Sequence, residues 1–318
     1  MDIKKHSYEK FVKEFNEKDV DTTKVIYIDT DSIFIELNEI VSKLENKVNK
    51  DRIDIILNII VPKLQNLLNT YFIPQLANKI HNVDLDEITL NLKQEVIAKS
   101  AYFLDKIKKK YALYIINKEG VEVDEYDIKG LEIKRSDFPR ITKEKLEEML
   151  DIILKSDKID IFKLLDFVDK TKRELMNLIL DGDVRVSRPV SFSKDMDDYK
   201  TIPQHIKGMV WWNILEYNYF LPGTKGYLFK IKGIDPSKAP NKITENFNKA
   251  KNENIPELGN KMLDVIVIPQ ELDKLPDYFV IDTQHMINYA WEDRVRNLLG
   301  NFIEIKMREV QKRRIATF

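Results

Sequence analysis

Residues 25–37 read VIYIDTDSIFIEL, and no other stretch limits the fold of this chain as tightly. Two runs of β-branched and aromatic residues flank a short polar step, a pattern that predicts strand, tight turn, strand. One turn-former suffices at such a tip, yet Asp29 and Asp31 both stand there. Side chains two apart on a strand share a face, so the two carboxylates aim at one point if the strand persists through them. Carboxylates that close repel, and a divalent cation relieves the repulsion. Hard oxygen donors favour Mg²⁺ or Mn²⁺, and phosphoryl transfer is a common use of such a site. The plain alternative is that Asp is simply a good turn residue.

Two rival readings of the triplet are tested by its neighbours. A calcium-binding EF-hand loop starting at Asp29 requires Asp or Asn at position five, Gly at six and Glu at twelve. The chain has Ile33, Phe34 and Ile40 there, so that reading fails. A nucleotide-sugar transferase with an Asp-x-Asp strand end requires alternating strands and helices upstream. About 24 residues precede the strand here, so that rival is the weaker expectation.

The chain has 318 residues, 43% of them apolar, enough for a substantial core and about two domains. Its formal charge is −1, from 52 Lys and Arg against 53 Asp and Glu, so only local clusters speak for or against nucleic acid. There is no cysteine, which excludes disulfides and thiolate metal sites. The charged start MDIKKHSYEKFVKEF does not fit a signal peptide, and no apolar run approaches the roughly 18 residues of a membrane span. A cytoplasmic setting, away from membranes, is the expectation.

Residues 6–19 predict one amphipathic helix, with Tyr8, Phe11, Val12 and Phe15 at helical spacing. Residues 51–79 predict a long helix that Pro62 and Pro74 kink or divide. ITLNLKQEVIAKSAYFL, KKYALYIIN and VEVDEYDIKGLEI read as strands of one antiparallel sheet shared with the opening hairpin, NKEG being the turn between the last two. Pro139 closes this region. Helices follow in pieces to about residue 181, then a polar passage, a helix from 204 and short strands at KGYLFKIKGI and MLDVIVIP. A helix over 283–299 and a basic tail end the chain. The fold class is α+β: a sheet-centred domain over 1–139, then a mainly helical one over 140–318.

The six residues Tyr27-Ile28-Asp29-Thr30-Asp31-Ser32 are far more specific than the carboxylate pair. They resemble the Y-x-D-T-D-S motif of family B DNA polymerases, which forms the palm hairpin that carries catalytic metal ligands. Further segments follow in that family's order. KKKYALYI, from Lys108 to Ile115, resembles its K-K-R-Y segment, which contacts the primer strand; Lys110 stands where Arg is usual, keeping the charge and losing the fork. DIKGLEIKRSDFP, from Asp127 to Pro139, resembles its K-G-x-E segment at the junction of palm and thumb, with Lys129, Gly130 and Glu132 at the named positions. In NLKQEVIAKSAYF, Glu95 is the candidate for an acidic residue near the metals. IPQHIKGMVWWN and KMLDVIVIP are similar to thumb segments of the T-even-like phage branch.

Each piece also has a plain reading. A Lys-rich stretch such as 106–110 is usually a solvated edge, Trp211 and Trp212 are more readily core than stacking platforms, and His205 and His285 lack metal-ligand spacing. The ordered series is what coincidence does not easily produce.

The resemblance implies a partial palm over 1–139, a thumb over 140–318, and template-directed addition of a dNTP to a primer 3′-hydroxyl. Asp31 would bind two Mg²⁺ ions, with Mn²⁺ able to substitute, and Asp29 and Glu95 would support it. Lys108, Lys109, Lys110 and Tyr111 would hold the primer strand, with Lys129 and Arg135 adding backbone contacts. The sequence lacks the family's D-x-x-S-L-Y-P aspartate, its K-x-x-x-N-S-x-Y-G fingers segment and its exonuclease motifs. The expectation is therefore a C-terminal part or subunit, inactive without a second polypeptide that carries them. The alternative is a remnant that binds duplex DNA without catalysis. The tail VQKRRIATF loosely fits a sliding-clamp peptide through Gln311, Ile315 and Phe318, and a frayed basic terminus is its plainer reading.

Overall fold

The computed structural model describes residues 24–300 apart from 30–31, 49, 105–106, 157, 194–198, 200, 217–222 and 259–261. The expected helix over 6–19, Asp31 and the tail with Gln311, Ile315 and Phe318 lie outside the described residues. The described chain is α+β. It forms two compact units: residues up to Ile97 together with Ile116–Asp124, and Ala98–Ile115 together with the chain from Glu125 onward.

In the first unit, β1 (Val25–Ile28) and β2 (Ile33–Ile35) form an antiparallel sheet of their own. This corrects the expectation of one sheet shared with the later strands. A bulge at Ile26 shifts the register, so Tyr27 sits opposite Phe34 and Ile28 opposite Ile33. Helix α1 (Asn38–Val48) follows directly, its first amide capped by Glu36 Oε1 at 2.7 Å. It was not expected, although Val41, Leu44 and Val48 carry helical spacing; Val41 is buried.

Helix α2 (residues 52–81) is one continuous run, opened by Asp51, whose side chain accepts from Asp54 N at 2.8 Å. The prolines neither break nor divide it. Instead a π-turn precedes each of them, Ile56–Ile60 before Pro62 and Leu68–Phe72 before Pro74. Val61 N–H reaches back to Ile56 O and Ile73 N–H to Leu68 O, five residues in each case. The wider turn makes room for a ring that would otherwise strike the carbonyl one turn earlier. Asn82, in the left-handed conformation, ends the helix.

The stretch 88–95 is not a strand, contrary to expectation, and β3 begins at Val96. Asn69 of α2 explains this: its amide donates to Leu92 O at 2.7 Å and accepts from Leu92 N at 2.8 Å. A side chain thus occupies the backbone groups that a neighbouring strand would need. Strands β3 (Val96–Phe103), β4 (Tyr111–Lys118) and β5 (Val121–Lys129) then form a three-stranded sheet in that order. The β4–β5 turn has positive φ at both Glu119 and Gly120, a type I′ hairpin that agrees with the NKEG signal.

The second unit holds most of the core. Helices α3 (Arg140–Leu154) and α4 (Ile161–Leu180) bury Met149, Leu150, Leu164, Leu175 and Ile179. Beyond them β7 (Lys225–Ile234) is the spine of a four-stranded sheet. One half of β7 pairs with β6 (Arg188–Ser191) and β8 (Val265–Pro269), the other half with β9 (Phe279–Ile281). The sequence reading missed β6 and β9, which are only four and three residues long. Helix α5 (Gln204–Glu216) lies on β8 and buries Trp211 and Trp212, at 0% and 4% exposure. Both are core residues, as expected. Helix α6 (Asn241–Asn252) was also missed, because its polar face outweighs Ile243 and Ala250. Helix α7 (residues 283–299) closes the described chain, with Trp291 donating to Val168 O at 3.1 Å.

Candidate active site

The carboxylate hairpin belongs to the first unit. The cross-strand pair Tyr27 and Phe34 puts ring centroids 5.7 Å apart, and Asp29 N donates to Ser32 O at 3.0 Å. That bond continues the pairing of Ile28 with Ile33 by one step, and β1 itself ends at Ile28. Asp29 and Ser32 are both half-buried. At the base of the hairpin Lys24 bridges Glu36 at 3.3 Å and Glu39 at 2.7 Å. With Lys43 also on Glu39, that carboxyl falls to about 2.

Glu95 lies one residue before β3 and is exposed. Its carbonyl accepts from Glu119 N at 2.8 Å, while Lys93 pairs with Glu119 at 2.8 Å. Glu119 foremost, and more weakly Glu95, hold the Lys93 ammonium above its ordinary range. Among the described residues no group of three or more His, Asp or Glu side chains gathers to hold a metal ion. Asp29 and Glu95 each carry the hard oxygens that Mg²⁺ takes, and Asp31 lies outside the described residues.

The second unit brings together two segments that lie 20 residues apart in the chain. Lys108, Lys109 and Lys110 form the turn between β3 and β4, held by Leu104 N on Lys110 O at 3.1 Å and Ile107 N on Leu104 O at 3.3 Å. Lys108 and Lys109 are exposed, Lys110 is half-buried, and Tyr111 is the buried root, its ring 5.5 Å from Phe103. Lys109 takes the left-handed conformation at φ 58°. Against it lies Gly130, φ 64°, so close that a Cβ there would sit 2.2 Å from Lys109 O and 3.1 Å from Lys110 Cγ. Lys129 is the residue immediately before Gly130 in the chain. Lys129 pairs with Asp127 at 3.4 Å and stays mostly exposed.

The segment after β5 is pinned by α7. Arg135 makes a two-pronged bond to Asp137, Nε to Oδ1 and Nη2 to Oδ2, both at 2.9 Å. This bond holds the Asp137 carboxyl below its ordinary range. Arg188 approaches the same carboxylate at 3.6 Å. The guanidinium groups of Arg135 and Arg294 both stack on Phe138, at 5.1 and 4.4 Å from its centroid. Tyr289 donates to Asp137 O at 2.8 Å, and burial pushes its hydroxyl up to about 12. Arg294 and Asn297 both donate to Glu132 Oε1, whereas the buried Glu132 Oε2 has no hydrogen-bond partner. The sequence reading holds Gly130 and Glu132 within the junction segment but gives neither a role, and it misses Arg188 and Arg294. Glu132 and Arg294 are 162 residues apart, so no local spacing could have paired them.

Residues 13–254 match the family model described as divergent family B DNA polymerase. The DNA polymerase alpha catalytic subunit of Mus musculus is 29% identical over 202 residues, which are 60% of this chain and 11% of that one. The chain thus spans about a tenth of that curated relative's length. Among solved structures, the family B DNA polymerase of the archaeon Pyrobaculum calidifontis aligns with a TM-score of 0.41 and 15% identity, over 73% of this chain and 24% of that one. With more than half of its length matched by the family model, this chain belongs to the divergent family B DNA polymerases.

Proposed function

We propose that the chain is the carboxylate-hairpin and primer-holding part of a DNA-directed DNA polymerase of phage type, working in the cytoplasm with a second polypeptide. The palm would extend to residue 139 and the thumb from 140. The observation that carries the reading is the hairpin whose turn, closed between Asp29 and Ser32, holds the YIDTDS motif in a chain of this family.

In this reading Asp31, with Asp29 beside it and Glu95 in support, holds the divalent ions. Two Mg²⁺ ions, or Mn²⁺, when bound, supply charge neutralisation at the attacking and leaving oxygens. The primer 3′-oxygen attacks the α-phosphate of a dNTP, a P–O bond forms, and pyrophosphate leaves. Lys108, Lys109 and Lys110, rooted by Tyr111, neutralise primer phosphates, and Lys129 and Arg135 add contacts to the backbone. Such contacts position the duplex without reading its sequence. In this reading the second aspartate and the fingers, whose motifs these 318 residues do not carry, come from outside them.

The test is Mg²⁺-dependent primer extension by this chain alone, by this chain with a polypeptide carrying the fingers and the second aspartate, and by that mixture with Asp31→Ala. Extension by the wild-type mixture alone is the expected result. Duplex binding without extension in a verified, folded mixture would replace this reading with a non-catalytic DNA-binding protein.

A further inference from the structure

The turn that carries Lys108, Lys109 and Lys110 is shaped from outside itself. A lysine in the left-handed conformation is unfavourable on its own, and only the surrounding structure keeps it there. The turn is closed by Leu104 N on Lys110 O and Ile107 N on Leu104 O. Packed against the Lys109 main chain is Gly130, whose missing side chain leaves room for the Lys109 carbonyl. Any other residue at 130 would place a Cβ 2.2 Å from that oxygen, which is backbone and has no rotamer in which to escape. The left-handed φ of Gly130 adds a second reason why only glycine fits.

We propose that Gly130 is a positioning residue for phosphate binding: its packing against Lys109 sets the directions in which Lys108, Lys109 and Lys110 leave the backbone and gathers Lys129 with them. The inference rests on the reading that these lysines hold primer-strand phosphates. Cations held in fixed directions can meet several phosphates at once, whereas the same charges on a relaxed turn cannot, so on this proposal geometry as well as charge determines the binding.

The salt dependence of equilibrium binding to a primer–template duplex separates the two. The slope of log affinity against log salt falls by about 0.9 for each phosphate that the protein no longer neutralises. Gly130→Ala removes no charge, yet the slope is expected to fall by the equivalent of about two phosphates. Gly120→Ala is the control for backbone strain, since Gly120 is also left-handed, at φ 88°, with nothing within 4 Å of its Cβ position. It is expected to leave the slope unchanged.

Two variants of Lys109 keep the test decisive if Gly130→Ala does not fold. Lys109→Asn and Lys109→Val remove the same charge from an exposed position, but Asn tolerates the left-handed conformation and a β-branched residue does not. The Val variant is expected to neutralise at least one phosphate fewer than the Asn variant. Equal slopes for the two, or a wild-type slope for folded Gly130→Ala, overturn the proposal. If Lys108→Ala, Lys109→Ala and Lys110→Ala combined leave the slope unchanged, the lysines touch no phosphate and the underlying reading fails with it. If the triple variant lowers the slope and Gly130→Ala does not, only the positioning role fails.

Discussion

Arg294 donates from Nη1 to Glu132 Oε1 at 2.9 Å, joining α7 to the segment that follows β5. The pair is largely withdrawn from water, with 12% and 22% of the side chains exposed, and the second Glu132 oxygen is already without a partner. Removing the arginine leaves a mostly buried carboxylate with the neutral Asn297 amide as its donor and no paired charge. Truncation of one partner in a buried pair costs about 3–5 kcal/mol, and with the residual exposure Arg294→Ala is expected to cost about 2–4 kcal/mol. Arg294→Lys keeps the charge but loses the stacking on Phe138, so it recovers only part. Chemical denaturation measures both, and a loss below about 0.5 kcal/mol for the alanine variant would refute the assignment.

Gly208 sets two effects against each other. In a helix interior, alanine is favoured over glycine by about 1 kcal/mol. A Cβ at 208, however, would meet Val267 Cγ2 at 2.9 Å, Val267 N at 3.0 Å and Ile266 C at 3.1 Å. Two of those atoms are backbone of β8, which is hydrogen-bonded along its length to β7 and has little freedom to yield. Overpacking of about 1–3 kcal/mol outweighs the propensity gain, so Gly208→Ala is expected to lower the melting temperature. A rise would mean that α5 lifts off the sheet without penalty.

Asp183 gives the second unit a sensitivity to acid. Its carboxylate takes Arg185 Nη2 at 2.7 Å and Arg185 N at 2.9 Å, and the side-chain bond from Arg185 leads in holding it below the ordinary aspartate range. A depressed folded value means that the stabilisation is complete above the unfolded value of about 3.9 and is lost as pH falls through the lower folded one. Neutral and mildly acidic conditions should therefore show no contribution from this group to the pH dependence. Below about pH 4 the wild type should lose stability more steeply than Asp183→Asn, as read by denaturation across that range. Parallel curves would exclude the pair as the cause.

Asn69 stands in for a strand by satisfying both backbone groups of Leu92. Asn69→Ala leaves that half-buried N–H and C=O without protein partners, at a cost of about 1–3 kcal/mol. Hydrogen exchange gives the local readout: the Leu92 amide should exchange much faster in the variant, while amides of β4 keep their protection. Unchanged exchange at Leu92 would show that the amide bridge is incidental.

Strong local patterns survived into the fold. The hairpin at 25–35, the NKEG turn, the strands at 111–118, 121–129 and 225–234 and the helix at 283–299 all lie where periodicity and turn residues put them. The family was legible too, because motifs spaced along a chain are themselves sequence properties. Local pattern failed where a distant residue overrode it. The run 88–95 has strand composition, but Asn69 takes both backbone groups of Leu92 in its middle. Pro62 and Pro74 carry a helix-breaking signal that two π-turns absorb. Three- and four-residue strands such as β9 and β6 are too short to show a period, and only their pairing with β7 makes them strands.

The candidate site divides in the same way. Sequence alone supplied the residues proposed for the chemistry: the carboxylates at 29 and 31, the lysines at 108–110, and Lys129 with Arg135 in a second segment. Tertiary structure alone decided that Lys109 and Gly130 touch, that Arg135 is already forked onto Asp137, and that α7 reaches Glu132. The physical reason is that a side chain's chemistry is carried by its residue type, whereas contacts between residues far apart in the chain exist only once the backbone has closed around them.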